Sequence, residues 1–355
     1  MVATAELVPA VVLGIPLGAL VTRVGGRRWM IWSDLVSAGL VCAIAGLSAA
    51  HLLPLPCLLV LVFAFGALRT PYMGSQQEVL AAVAGQSQEL LARSASILQS
   101  ASRASVLVGP PTAGLLIALL GAGNTMFVTV VILVAVVLTI RWGVPPIPAP
   151  PVTTGQGIHI LDGVKQLRRD PLMVWWVPTS ALSEAAYQML LVTMPILTIQ
   201  RYHATATVTG VLLGAFGGGA MLGSAAAALL VRHVRPLRLA VSGRCLQGLL
   251  FAALVIPFPL AWAVVTFAAL GASNGLTNGP SAAVQIPRIA PAFRGSALTA
   301  IASITMGGGA VGSAIAGPTI GRSTEAMFIV AAALATTGVV FYLNGARREN
   351  LSPTQ

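Results

Sequence analysis

Runs of about 20 consecutive apolar residues recur along the whole chain, and that is the length an α-helix needs to cross the hydrocarbon core of a bilayer. Residues 29–50 and 208–231 are two clear examples. Composition agrees: 56% of the 355 residues are apolar and only 8% are charged, where a soluble domain carries about 25% charged residues. The surface therefore faces something other than water. The 37 glycines and 23 prolines would break up a soluble helical protein. In a membrane both are tolerated, because neighbouring helices satisfy the freed backbone groups. The expected fold class is an all-α membrane protein.

Hydropathy gives eleven candidate spans, at residues 5–21, 29–50, 55–72, 97–120, 125–140, 172–197, 208–231, 237–256, 260–279, 296–320 and 326–343. The net charge of +11 is not a nucleic-acid signature, since the positives sit in short loops between apolar runs. Fifteen loop Lys and Arg, from Arg23 to Arg348, fall on one side of the membrane, and only Arg201 and Arg322 on the other. Positive loops stay cytoplasmic, so the N-terminus is expected outside and the C-terminus inside, in the cytoplasmic (inner) membrane. An odd number of spans is consistent with that. Cys42, Cys57 and Cys245 lie in or beside apolar runs and read as small packing residues. No His pair has ligand spacing, so no metal or other cofactor is assigned.

Residues 143–170 form the one long connection. Its first part, Val144-Pro-Pro-Ile-Pro-Ala-Pro-Pro151, should be extended. Its second part, residues 158–169, reads as a short basic amphipathic helix at the cytoplasmic headgroups. It divides an N-terminal bundle of five spans (1–142) from a C-terminal bundle of six (171–355). The halves resemble each other: Arg93-Ser-Ala-Ser-Ile followed by Gly109 to Gly114 recurs as Arg294-Gly-Ser-Ala-Leu followed by Gly312 to Gly317. Internal repeats around a central loop mark many secondary transporters.

Four segments carry a family resemblance. They are Gly18-Ala-Leu-Val-Thr-Arg-Val-Gly-Gly-Arg-Arg28, Leu68-Arg-Thr-Pro71, Gly109-Pro110 with Gly114, and Val284-Gln-Ile-Pro287 with Arg294-Gly295. In this order they resemble the major facilitator superfamily, in particular its bacterial drug- and siderophore-exporting proton antiporters. The resemblance implies two pseudo-symmetric bundles that alternately expose a central cavity. It also implies that Gly18, Arg23, Arg27, Arg28, Arg294 and Gly295 belong to a conformational lock, and that Gly109, Pro110 and Gly114 limit leak. Two departures stand out. The family has Asp where this chain has Thr22, which weakens the lock. The chain also opens on what should be the family's second helix, so the first is expected to be absent. On that basis a longer native form is expected, and the chain alone would transport poorly.

Ionisable side chains at membrane depth are costly and are functional candidates by default. Glu184 lies near the middle of the first span of the second half, with Ser180, Tyr187 and Gln188 at helical spacing. It reads as a proton-exchanging group, as a partner for a cationic substrate, or as a structural glutamate bonded between helices. Asp34, Arg69 and Arg103 form a second set, in which Asp34 is expected to pair with one of the arginines. Arg103 shares a face with Gln99 and Val106. Small residues at Gly109 and Gly114 suit close helix approach, and Pro110 should kink its span. Ser273, Asn274, Thr277 and Asn278 form a polar patch suited to bonding between helices. Gly307 to Gly312 is not a phosphate loop, having no Lys-Ser/Thr after it.

Together these readings give a non-enzymatic secondary transporter, monomeric, whose partners are a small-molecule substrate, protons and lipid, with no nucleic acid. The alternative is a truncated, non-transporting membrane fragment.

Overall fold

The computed structural model describes residues 13–50, 52–85, 87–147, 161–203, 206–256, 259–320 and 324–351, and all regular structure among them is helical. The first half holds α1 (Gly14–Val24), α2 (Gly26–Ala49), α3 (Leu55–Ala84) and α4 (Gln88–Gly143). The short α5 (Asp162–Arg169) lies in the connection. The second half holds α6 (Met173–Gln200), α7 (Ala206–Leu230), α8 (Pro236–Ala253), α9 (Leu260–Gln285), α10 (Arg294–Ile320) and α11 (Thr324–Leu351). Among the described residues, eight helices are long and apolar enough to cross a membrane. The protein is a multi-pass membrane protein, and the count of eleven remains a reading of the sequence. Residues 1–12 and the proline stretch from Pro148 lie outside the described residues, as does the start of the expected amphipathic helix; α5 covers its end.

The backbone of α4 leaves helical geometry at Gly121, with φ 80°, between the expected spans 97–120 and 125–140. A positive φ is open chiefly to glycine. The break divides α4 into two arms, 88–120 and Gly123–Gly143. Among the described residues, a Cβ on Gly109 would meet nothing within 4 Å.

The chain forms two compact units, each drawing segments from both sides of the connection. Unit 1 comprises Met1–Val83, Val108–Leu167 and Ile289–Ser303. In it the start of α10 packs on α1 and α3: a Cβ on Gly18 would come within 2.9 Å of Thr299, and one on Gly74 within 2.8 Å of the Thr299 backbone nitrogen. Gly25, at φ 87°, makes the tight link from α1 to α2.

Unit 2 comprises Ala84–Leu107, Arg168–Arg288 and Ile304–Gln355. Its core joins Met189, Leu190 and Met194 of α6 to Phe216, Phe251, Phe267 and Phe328 of α7, α8, α9 and α11. Glycines set the closest approaches. Gly219 and Gly223 of α7 face the backbone of Ala268 and Ala272, while Gly271 and Gly275 of α9 face Phe216 and Ala220 in return. Side chains as small as this let helix backbones meet, where lipid offers no hydrophobic drive for association. Gly308 and Gly312 of α10 sit likewise on Ala181 and Ala185 of α6. Asp170 seats the start of α6, accepting from the backbone N–H of Leu172 at 2.8 Å and Met173 at 3.1 Å and pairing with Arg288 at 3.2 Å.

Candidate functional site

In unit 2 the polar stripe of α6 meets groups from four other helices. Glu184 stands near the middle of the 28-residue α6. Its Oε1 accepts from Gln188 Nε2 at 3.1 Å. Gly309 of α10 makes room for the stripe, since a Cβ there would come within 3.1 Å of the Cγ atoms of both Glu184 and Gln188. One turn along, Tyr187 stacks on Phe216 with ring centroids 5.1 Å apart. The Arg103 guanidinium, from the first arm of α4, lies 5.7 Å from the centre of the Tyr187 ring. Arg103 Nη2 donates to Asn274 Oδ1 at 3.0 Å, and Asn278 Nδ2 donates to the same oxygen at 3.0 Å. Gln99, its amide oxygen turned toward the guanidinium, accepts from Arg103 Nε at 3.0 Å. The asparagine patch of α9 thus solvates a cation of α4. Ser180 turns back on its own helix, donating to the Trp176 carbonyl at 3.2 Å.

Sequence reasoning passed over Arg244, in α8. It is only 6% exposed and lies 5.8 Å from the centre of the Tyr342 ring. Its Nη1 donates to Gln247 Oε1 at 2.7 Å, its Nε has no hydrogen-bond partner among the described residues, and Glu184 bears on it electrostatically. The signal was available: a single arginine inside an apolar run of span length.

In unit 1 the arginines expected to pair with Asp34 do not do so. The Asp34 carboxylate accepts a hydrogen bond from Tyr72 Oη at 3.4 Å. Arg103 is spent on Asn274, Gln99 and Tyr187, and Arg69 shares a cavity with Asp34 without an ion pair to it among the described residues. A phenol can approach the carboxylate without bringing a second charge into the membrane interior.

Of the residues expected to form a lock, Gly18, Arg294 and Gly295 come together at the start of α10. Thr22 Oγ1 accepts from the backbone N–H of Ser296 at 2.8 Å, so Thr22 caps a helix N-terminus. Buried Glu78, a second group the sequence reading missed, reaches the same place. A Cβ on Gly26 would come within 3.0 Å of its Oε2, and one on Gly295 within 2.9 Å. Arg294 acts on Glu78 electrostatically and donates to the Ile289 carbonyl at 3.4 Å. Arg27 grips the end of α4, donating to the carbonyls of Val144 at 2.9 Å and Arg141 at 2.8 Å, where a helix C-terminus favours a cation. Arg23 and Arg28 are exposed.

The family model described as Major Facilitator Superfamily matches residues 1–313. The chain belongs to the major facilitator superfamily. Among curated relatives it is similar to "Multidrug efflux pump Tap" of Mycolicibacterium fortuitum, at 27% identity over 90% of this chain and 79% of the relative. It is similar to the protein of the same name from Mycobacterium tuberculosis, at 27% identity over 99% of this chain and 86% of the relative. Solved major facilitator structures share the fold. The E. coli fucose:proton symporter aligns with a TM-score of 0.78 at 11% identity, over 96% of this chain and 89% of that one. A bacterial homologue of the iron transporter ferroportin, in an outward-facing state, aligns with a TM-score of 0.78 at 16% identity, over 98% and 90%. The protein is accordingly a major facilitator transporter with multidrug efflux pumps among its relatives, and not an enzyme.

Proposed function

We propose that this transporter exports amphipathic small molecules, such as drugs, dyes or siderophores, across the cytoplasmic membrane in exchange for protons, with Glu184 as the proton-carrying group. The observation that carries this reading is the place of Glu184: mid-helix on α6, bonded to Gln188, beside a tyrosine that stacks on Phe216 and lies under Arg103. A carboxylate among neutral amides and aromatic faces can take up a proton without dismantling its surroundings. Apolar rings beside it suit an amphipathic guest. The named function of the mycobacterial relatives supports efflux over uptake.

Alternating access then runs between a five-span bundle (1–142) and a six-span bundle (171–355), hinged on residues 143–170, in a monomer with a cytoplasmic C-terminus. The contacts of α10 with Thr22, Gly18 and Gly74 form the cytoplasmic lock of one state. The test is Glu184→Gln in proteoliposomes with an imposed proton gradient. Gradient-driven dye export should fall to that of protein-free vesicles while the variant still inserts and elutes as the wild type does. Export at the wild-type rate would leave Glu184 a structural role only.

A further inference from the structure

Unit 1 contains a cavity of about 270 Å³ bounded by α2, α3 and the second arm of α4. Its walls are mostly apolar, with Phe65, Leu68, Met73 and Leu133 among them. Asp34 lines it, 94% withdrawn from the surface, and among the described residues its carboxylate accepts one hydrogen bond, from Tyr72. Arg69 also lines the cavity; it has an interaction of its own, and it makes no ion pair with Asp34 among the described residues. The second arm of α4 contributes Leu133 and no charge. A buried carboxylate that makes no ion pair among the described residues is costly to keep in a membrane protein. Apolar walls with a few convergent polar groups are also the usual build of a small-molecule site.

We propose that this cavity is a binding site for lipophilic organic cations, with Asp34 as counter-ion and the rings of Phe65 and Tyr72 as its aromatic walls. A flat cation gains twice there. Its charge replaces the missing partner of Asp34, and its face or edge meets the aromatic rings. A proton and the cation compete for the same carboxylate, so loading one expels the other. The site is separate from the α6 stripe, and its existence does not depend on Glu184.

The experiment is a fluorescence titration of the detergent-solubilised full chain, with no gradient, so that transport does not enter. The probes are N-methyl-4-(4-dimethylaminostyryl)pyridinium and its unmethylated, uncharged parent at pH 8. The cation should bind about tenfold or more tightly than its parent, the scale of one charge-assisted interaction. Its affinity should weaken as pH falls and the proton takes the carboxylate. Asp34→Asn should remove both the preference and the pH dependence. Tyr72→Phe should keep the pH dependence, because it removes a competing donor and leaves the counter-ion; a purely structural Asp34–Tyr72 bond would make the two variants alike. Equal affinity of the wild type for the two probes, or no binding of the cation, overturns the proposal even if a variant fails to fold. So does a preference that survives in a folded Asp34→Asn.

Discussion

The two units bury opposite charges and treat them differently. In unit 1 the charges below a tenth exposed are acids, Asp34 and Glu78. One is met by a phenol, the other by the starts of α2 and α10. In unit 2 the deeply placed charges are two cations and one acid. Arg103 and Arg244 are solvated by neutral amides and aromatic faces, and Glu184 is held by Gln188. The difference teaches where exchange chemistry can happen. Glu184 sits in a field that already contains positive charge, so losing or gaining a proton changes a balance among three groups. Asp34 has Tyr72 as its described hydrogen-bond partner, and the proposed organic cation would supply its counter-charge.

Glu184→Gln should have the largest effect, because it removes the one group of that triad able to titrate; the loss of gradient-driven export is read in proteoliposomes. If Asp34→Asn abolished export equally while leaving organic-cation binding intact, the contrast between the units would fail. Arg244→Met comes next and is read in two quantities. The arginine is only 6% exposed, and removing one member of a buried charge pair costs about 3–5 kcal/mol because the other is left uncompensated. Thermal unfolding in detergent should therefore shift downward and export should fall, because Glu184 loses its neighbouring charge. A variant that is both less stable and fully active would mean that Arg244 is a structural brace.

Much of this was legible in the sequence because membranes impose simple rules. Apolar run length placed the spans, and the order of four motifs pointed to the family that the family model matches. What stayed hidden was partner choice. The fifteen and two loop cations leave Arg69, Arg103 and Arg244 of the twenty; the count isolates Arg244, but nothing in one dimension says that Tyr342, almost a hundred residues on, lies under it. The same holds for Asp34, where the nearest arginine in the pattern was not the partner and Tyr72, three residues beyond Arg69, was.

The smallest expected effect tests the acidic side of the comparison at the start of α10. The first N–H groups of a helix lack partners within it, and Thr22 supplies a neutral acceptor where the family has a carboxylate. An anion near a helix start is favoured by the helix dipole, and here buried Glu78, against Gly26 and Gly295, provides the charge that Thr22 lacks. Thr22→Val keeps shape and removes the hydrogen bond to α10, along with the hydroxyl's 3.3 Å bond to the Gly18 carbonyl within α1; losing the bond to α10 costs about 1 kcal/mol. That is about a fivefold shift toward the state in which α10 separates from α1 and α3. The readout is the labelling rate of Thr299→Cys, a position fully buried against Gly18 and Gly74, in a background where Cys42, Cys57 and Cys245 are alanine. Labelling should quicken about fivefold with Thr22→Val and more with Glu78→Gln, since charge at a helix start outweighs a neutral cap. If Thr22→Val left the rate unchanged while Glu78→Gln raised it, the lock would rest on Glu78 alone, and the threonine would be a bystander to a carboxylate that moved from α1 to α3.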